Sequence, residues 1–196
     1  MAIPTRIYLT GFMGSGKSTF GPRLAQRLGY EFIDLDEAVE KAAGKPVQTI
    51  FVDEGEAEFR RIEALKLRSV SRKARVVISL GGGAVTAEDN LYFVVTNGML
   101  IYLRVAPEVL AERLRSDSRV RPLLLDERGN MLSGKMLLRR IQSMLEKRES
   151  FYNQADVVLD AGELNMDELV EAAVRAMEEQ GTRVSGLRSQ VSGLRS

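Results

Sequence analysis

Apolar positions along the chain fall into short runs of three to seven residues, separated by longer stretches in which they recur with helical spacing. Residues 7–9 form the first run and end at a glycine-rich turn. From Lys17 onward Phe20, Leu24, Ala25 and Leu28 repeat every three to four positions, and Gly29 stands where a helix-ending glycine belongs. Phe32 and Ile33 begin a second short strand that runs into Asp34, Leu35 and Asp36. Residues 37–73 read as mostly helical with a break at 44–46. Residues 74–80 (ARVVISL) read as a buried strand ending in Gly81, Gly82 and Gly83. A helix from about Ala87, a strand at 99–103 and a helix at 106–115 with proline in its first turn follow. Helical spacing returns at 135–151, a fifth strand is expected at 157–159, and 166–177 forms a last amphipathic helix.

Strands that alternate with helices predict an α/β fold: a parallel sheet of five strands, helices on both faces, and ligands at the carboxyl ends of the strands. Residues 116–134 have no clear period, are long for a connection, and carry Arg119, Arg121, Asp126, Glu127 and Arg128, as a mobile lid does. Residues 1–180 then form a single domain. The hexapeptide VSGLRS occurs at 184–189 and again at 191–196, so 181–196 is expected to be a disordered repeated tail or a sequence-duplication scar.

Composition removes several kinds of chemistry. The 196 residues include neither cysteine nor histidine, which excludes disulfides, thiolate nucleophiles, imidazole bases and the usual zinc ligands. Lys plus Arg number 28 against 27 Asp plus Glu, so the net charge of +1 offers no footprint for nucleic acid or a membrane surface. The apolar run after the first residues is too brief for a signal peptide or a spanning helix, and a cytoplasmic protein is expected.

Residues 11–18 (GFMGSGKS) match G-x-x-x-x-G-K-[ST] in full, between a predicted strand and a predicted helix. Its glycines let successive N–H groups turn inward to phosphate oxygens, and the helix N-terminus adds partial positive charge. Gly14, Ser15, Gly16, Lys17, Ser18 and Thr19 are thus the candidate residues for binding a nucleoside triphosphate, with Lys17 bridging the β- and γ-phosphates and the Ser18 hydroxyl on Mg²⁺. A dinucleotide-binding loop would need glycine three residues after Gly16, where Thr19 stands.

This loop alone names no acceptor. Asp34 and Asp36 flank Leu35. In extended geometry both carboxylates project to one side, one for Mg²⁺ and one for a hydroxyl proton; the alternative is a pair of carboxylates opening a helix. Arg60 and Glu63 are three apart on one helical face, so the glutamate either holds the arginine toward a substrate carboxylate or makes an ordinary surface pair. Gly81 to Gly83 permit close backbone approach to a ligand or serve a tight turn.

Together GSGKST, Asp-x-Asp after strand two, GEAEFRRIE, the triple glycine and RPLL resemble the shikimate kinase family, in its order and spacing, over residues 7–159. The resemblance implies a P-loop kinase three-layer sandwich with a lid, transferring the γ-phosphoryl group of ATP to the 3-hydroxyl of shikimate in aromatic amino-acid biosynthesis. It implies Mg²⁺, held near Ser18 and Asp34, and a monomer whose partners are ATP and shikimate. Asp36 then contacts the ring hydroxyls and takes the proton. Arg60, oriented by Glu63, binds the substrate carboxylate together with Arg148, Gly82 and Gly83 are backbone donors, and Arg121 is the lid arginine that reaches the phosphates. Ser79 stands where many P-loop enzymes carry an aspartate. Seven residues before Arg121, where the family often has an adenine-stacking arginine, the chain has Leu114 between Arg113 and Arg115. The rival readings are another small-molecule kinase, such as one for gluconate, and a non-catalytic nucleotide-binding module on the same scaffold.

Overall fold

In a computed structural model of the chain, residues 3–117, 121–162 and 164–192 are described, apart from the side chains of 181–192. Five parallel strands form one sheet: β1 (Arg6–Thr10), β2 (Glu31–Asp34), β3 (Val76–Ser79), β4 (Met99–Arg104) and β5 (Val157–Asp160), in the order β2-β3-β1-β4-β5. The helices are α1 (Lys17–Leu28), α2 (Leu35–Ala43), α3 (Val47–Asp53), α4 (Gly55–Val70), α5 (Glu88–Asn97), α6 (Pro107–Ser116), α7 (Gly134–Tyr152) and α8 (Met166–Ser192).

The central strands are buried on both faces, and their two-residue period divides the core. Ile7, Leu9, Val77, Ile101 and Leu103 pack with Phe20 and Leu24 of α1, Leu110 and Leu114 of α6, and Leu169 of α8. Tyr8, Val76, Ile78, Leu100 and Tyr102 point the other way, onto Leu67 of α4, Leu91 and Val94 of α5 and Tyr152 of α7. Each such aliphatic side chain contributes about 1.5–3 kcal/mol on burial. A third, small cluster of Val39, Ile50 and Phe59 ties α2, α3 and α4 into an outlying unit beside β2.

Strand order fixes where ligands go. β1 leads out toward β2 while β3, its neighbour, leads out toward β4, so the loops after β1 and β3 diverge and open a crevice between them. Those loops are residues 11–16 and Gly81 to Gly83.

Some boundaries differ from the expected ones. The helical stretch after β2 breaks twice: at Gly44, whose φ of 71° ends α2, and again at Gly55, whose φ of 83° separates α3 from α4. The lid region is not featureless: a 3₁₀ turn spans Pro122–Leu124, and Leu125 bridges Met131 across a turn in which Asp126 accepts from the Arg128 and Asn130 N–H groups. Arg119 lies outside the described residues. α8 runs on to Ser192, past residue 181 where the repeated tail was expected to begin; Glu178, Glu179, Gln180 and Arg183 are good helix formers, and single glycines only weaken a helix. Residues 193–196 lie outside the described ones.

Candidate active site

A cleft of about 1070 Å³ opens at the carboxyl ends of β1 and β3. Its lining includes every predicted site residue: Gly14 to Thr19, Asp34, Asp36, Arg60, Glu63, Gly82, Gly83, Arg121 and Arg148.

The phosphate loop is built by left-handed glycines. Gly11, Gly14 and Gly16 have φ of 142°, 80° and 98°, and Gly16 caps α1. Lys17 curls over the loop and donates to the carbonyls of Gly11 (2.8 Å) and Phe12 (3.1 Å). Burial lowers its pKa to about 8 from 10.5, against the pull of Asp36 and Asp34, and Arg121 and Arg148 push the same way as burial.

The folded state thus disfavours the ammonium. A group with a lowered folded pKa destabilises the fold below that pKa, and this penalty lifts as pH rises from about 8 to 10.5. A polyphosphate in the loop restores the charged form. Nucleotide binding at pH 9 is therefore expected to take up close to one proton per site, read as the dependence of calorimetric heat on buffer ionisation enthalpy. No buffer dependence at pH 9 would contradict this placement of Lys17.

Asp34 and Asp36 correct the extended Asp-x-Asp expectation. Asp34 ends β2 and caps α2, its Oδ1 accepting from the Asp36 N–H at 3.0 Å, and Asp36 already lies in the first helical turn. The two carboxylates open a helix, where its dipole favours them. Asp34 Oδ2 also accepts from the Ser18 hydroxyl at 3.4 Å, joining the two residues expected at the metal. Burial first, then Asp34, raises the Asp36 pKa; Lys17 and Arg60 only partly offset this.

Two of the strand-end glycines make room for cleft side chains, Gly81 for Asp36 and Gly83 for Arg60. A Cβ on Gly81 would lie 2.8 Å from Asp36 Oδ1 and 3.1 Å from Glu63 Oε1; on Gly82, 3.4 Å from Gly11 O and 3.6 Å from Arg148 Nη1; on Gly83, 2.5 Å from Arg60 Nη2. Close approach is the reason for glycine at 81 and 83, since neither has positive φ, whereas a Cβ on Gly82 would make only ordinary contacts. Arg60 donates to Glu63 Oε2 at 2.8 Å, and Glu63 is 0% exposed, so this is no surface pair. Burial raises the Glu63 pKa despite Arg60 beside it.

Arg121 pairs with Asp117 at 2.8 Å, and its buried Nε has no hydrogen-bond partner among the described residues. Leu114 is buried against Gly14, so it belongs to the core. Arg113, one position earlier, lines the cleft and donates to the carbonyls of Gly14 (3.4 Å) and Ala161 (3.1 Å). Sequence reading missed it because the interval to Arg121 is eight residues rather than seven. It also missed Phe51 and Phe59, whose rings meet at 4.7 Å and line the cleft. Only the apolar face of 47–59 could have signalled them.

A glycine-cradled phosphate loop at the switch point of a five-stranded parallel sheet, faced by carboxylates and arginines, defines a P-loop kinase. A family model for shikimate kinase matches residues 13–178. Shikimate kinase of Prosthecochloris aestuarii is 43% identical over 178 residues, covering 91% of this chain and 90% of the relative. That of Chlorobium luteolum is 45% identical over 172 residues, covering 88% and 85%. The structure of shikimate kinase from Acinetobacter baumannii in complex with shikimate superposes with a TM-score of 0.80 at 30% identity, covering 89% of this chain and 93% of that one. A gluconokinase from Sinorhizobium meliloti, 19% identical with a TM-score of 0.62, shares the fold alone. The chain belongs to the shikimate kinase family.

Proposed function

We propose that this protein transfers the γ-phosphoryl group of ATP to the 3-hydroxyl of shikimate. The observation that carries this reading is the packing of Asp36 and Arg60 into the spaces left by Cβ-less Gly81 and Gly83, with Arg148 hydrogen-bonded to Gly82 O, beside the phosphate loop. One proton acceptor and two guanidinium groups then converge on a ligand that carries both hydroxyls and a carboxylate.

Phosphoryl transfer requires alignment and charge neutralisation more than covalent chemistry. Backbone N–H groups of residues 14–19 and the Lys17 ammonium hold the β- and γ-phosphates, and Arg113 flanks the nucleotide beyond Gly14. Ser18 and Asp34, two hard oxygen donors 3.4 Å apart, fit Mg²⁺ and would hold it. When bound, Mg²⁺ neutralises charge building on the phosphoryl oxygens. Arg60, held by Glu63, and Arg148 take the shikimate carboxylate, with the N–H groups of Gly82 and Gly83 as further donors. Asp36, made more basic by burial, orients the 3-hydroxyl and takes its proton. Arg121 closes from the lid onto the phosphates and excludes water.

The chain's own residues complete the cleft, so a monomer is sufficient. Among the described residues no helix is long and apolar enough to cross a membrane, and the proposed setting is the cytoplasm. Phosphorus NMR of the product is expected to show one monoester, on the 3-hydroxyl, formed in step with ADP. A monoester at another hydroxyl, or ADP without a monoester, would overturn the mechanism.

A further inference from the structure

Three glycines in succession make a soft backbone, and their carbonyls must be held by something other than side-chain bulk. Two are held locally: Gly81 O accepts from the Ala84 N–H (3.0 Å), and Gly83 O from the N–H (3.2 Å) and hydroxyl (2.8 Å) of Thr86. Gly82 O is different. Among the described residues its partners come from α7, 66 and 70 positions away: Arg148 Nη1 at 3.2 Å and the hydroxyl of Tyr152. These two donors occupy both lone pairs of the carbonyl.

Tyr152 is itself enclosed. It is 0% exposed at the end of α7, and its ring lies 5.0 Å from that of Tyr102 on β4. Arg148 is less constrained, since its guanidinium stands over the Phe12 ring and also faces the cleft. We propose that Tyr152 is a positioning residue for the acceptor half of the site: its hydroxyl anchors the Gly82–Gly83 peptide and keeps Arg148 in register with it.

The peptide bond is planar and trans, so fixing the Gly82 carbonyl also fixes the opposed N–H of Gly83. Among the described residues no backbone acceptor takes that N–H, which leaves it for a ligand. When Arg148 turns toward a substrate carboxylate, Tyr152 still holds the carbonyl. Gly82 also sits 3.4 Å from Gly11 O and 3.5 Å from Met13 N, measured from its absent Cβ, so the anchor keeps the acceptor loop seated on the phosphate loop. Burial raises the Tyr152 pKa, so the phenol remains a donor throughout the working pH range.

The consequence for catalysis rests on the shikimate kinase reading; the anchoring itself does not. Tyr152→Phe removes one oxygen and keeps the ring against Tyr102. The expected result is a shikimate KM raised roughly tenfold, the equivalent of about 1.4 kcal/mol, with the MgATP KM and the melting temperature nearly unchanged. Combined with Arg148→Lys, the effect on shikimate KM should be less than the product of the two, since both act through one carbonyl. Amide hydrogen exchange at residues 82 and 83 should quicken in Tyr152→Phe while the sheet amides keep their rates. If the wild type does not use shikimate, the functional reading fails and the exchange result alone decides the anchoring. Unchanged exchange with an unchanged shikimate KM would overturn the proposal, as would equal losses for both substrates together with a lowered melting temperature.

Discussion

Replacing Asp36 by asparagine is expected to lower kcat by about three orders of magnitude, within the usual range for loss of a general base, while MgATP affinity changes little. The amide still fits beside Gly81 and can still hydrogen-bond a hydroxyl, but it cannot take the proton. The same change should stabilise the fold. Burial and the neighbouring Asp34 raise the Asp36 pKa, so its ionised form is a cost at neutral pH. A carboxyl with a raised folded pKa supports the fold fully below its ordinary value of 3.8 and loses that support as pH rises through the folded value. Asp36→Asn is thus expected to melt higher than wild type at pH 7, with the difference shrinking toward pH 4. Steady-state kinetics, nucleotide titration and a melting series against pH read the three parts separately. A variant as active as wild type would remove Asp36 from the proton path, and a variant that melts lower at pH 7 would contradict the assigned strain. Activity and stability pulling apart at one residue is the pattern expected of a strained functional group.

Arg60→Ala is expected to damage both binding and folding. Its guanidinium fills the space beside Gly83 and is the partner of Glu63 Oε2, while Glu63 Oε1 has no hydrogen-bond partner among the described residues. Truncation leaves a fully buried carboxylate uncompensated, which costs on the order of 3–5 kcal/mol. It also removes the proposed anchor for the substrate carboxylate, so shikimate KM should rise by about two orders of magnitude or more, as for loss of a buried charged pair at an interface. Burial already raises the Glu63 pKa, and losing Arg60 drives it higher still. Stability of the variant should therefore be greatest at acid pH and fall as pH rises above the ordinary glutamate value of 4.5. Adding Glu63→Gln separates the two effects: it should restore much of the melting temperature and none of the shikimate KM. Recovery of both would mean that Arg60 serves the fold alone.

The phosphate loop was legible because its requirements are local. Glycines at three left-handed positions, a lysine and a hydroxyl within eight residues leave a fixed spacing in the chain. The sheet was legible for the same reason, since runs buried on both faces alternate with helical periods. Asp-x-Asp was half legible. The pair of carboxylates was plain in the chain, but a strand end and a helix N-terminus share a sequence pattern, and only the cap from Asp34 to the Asp36 N–H decides between them. Arg113 lines the cleft and Leu114 the core, one residue away from the position that spacing arithmetic singles out. The helix turns by about 100° per residue, so the neighbour of a core leucine can face the cleft. Tyr152 was illegible, because its partner is 70 positions away and its hydroxyl meets a carbonyl, a group every residue carries. The lid pair of Arg121 with Asp117 left a sequence signal, an i,i+4 spacing, but on a stretch without helical period.

The most direct measurement is ADP release from MgATP with shikimate, quinate and gluconate offered separately under identical conditions. Shikimate is expected to give rapid turnover, quinate far less, and gluconate only the background rate. Equal rates with all three, or none with shikimate, would contradict an acceptor site shaped by Asp36, Arg60 and Arg148 around the triple glycine.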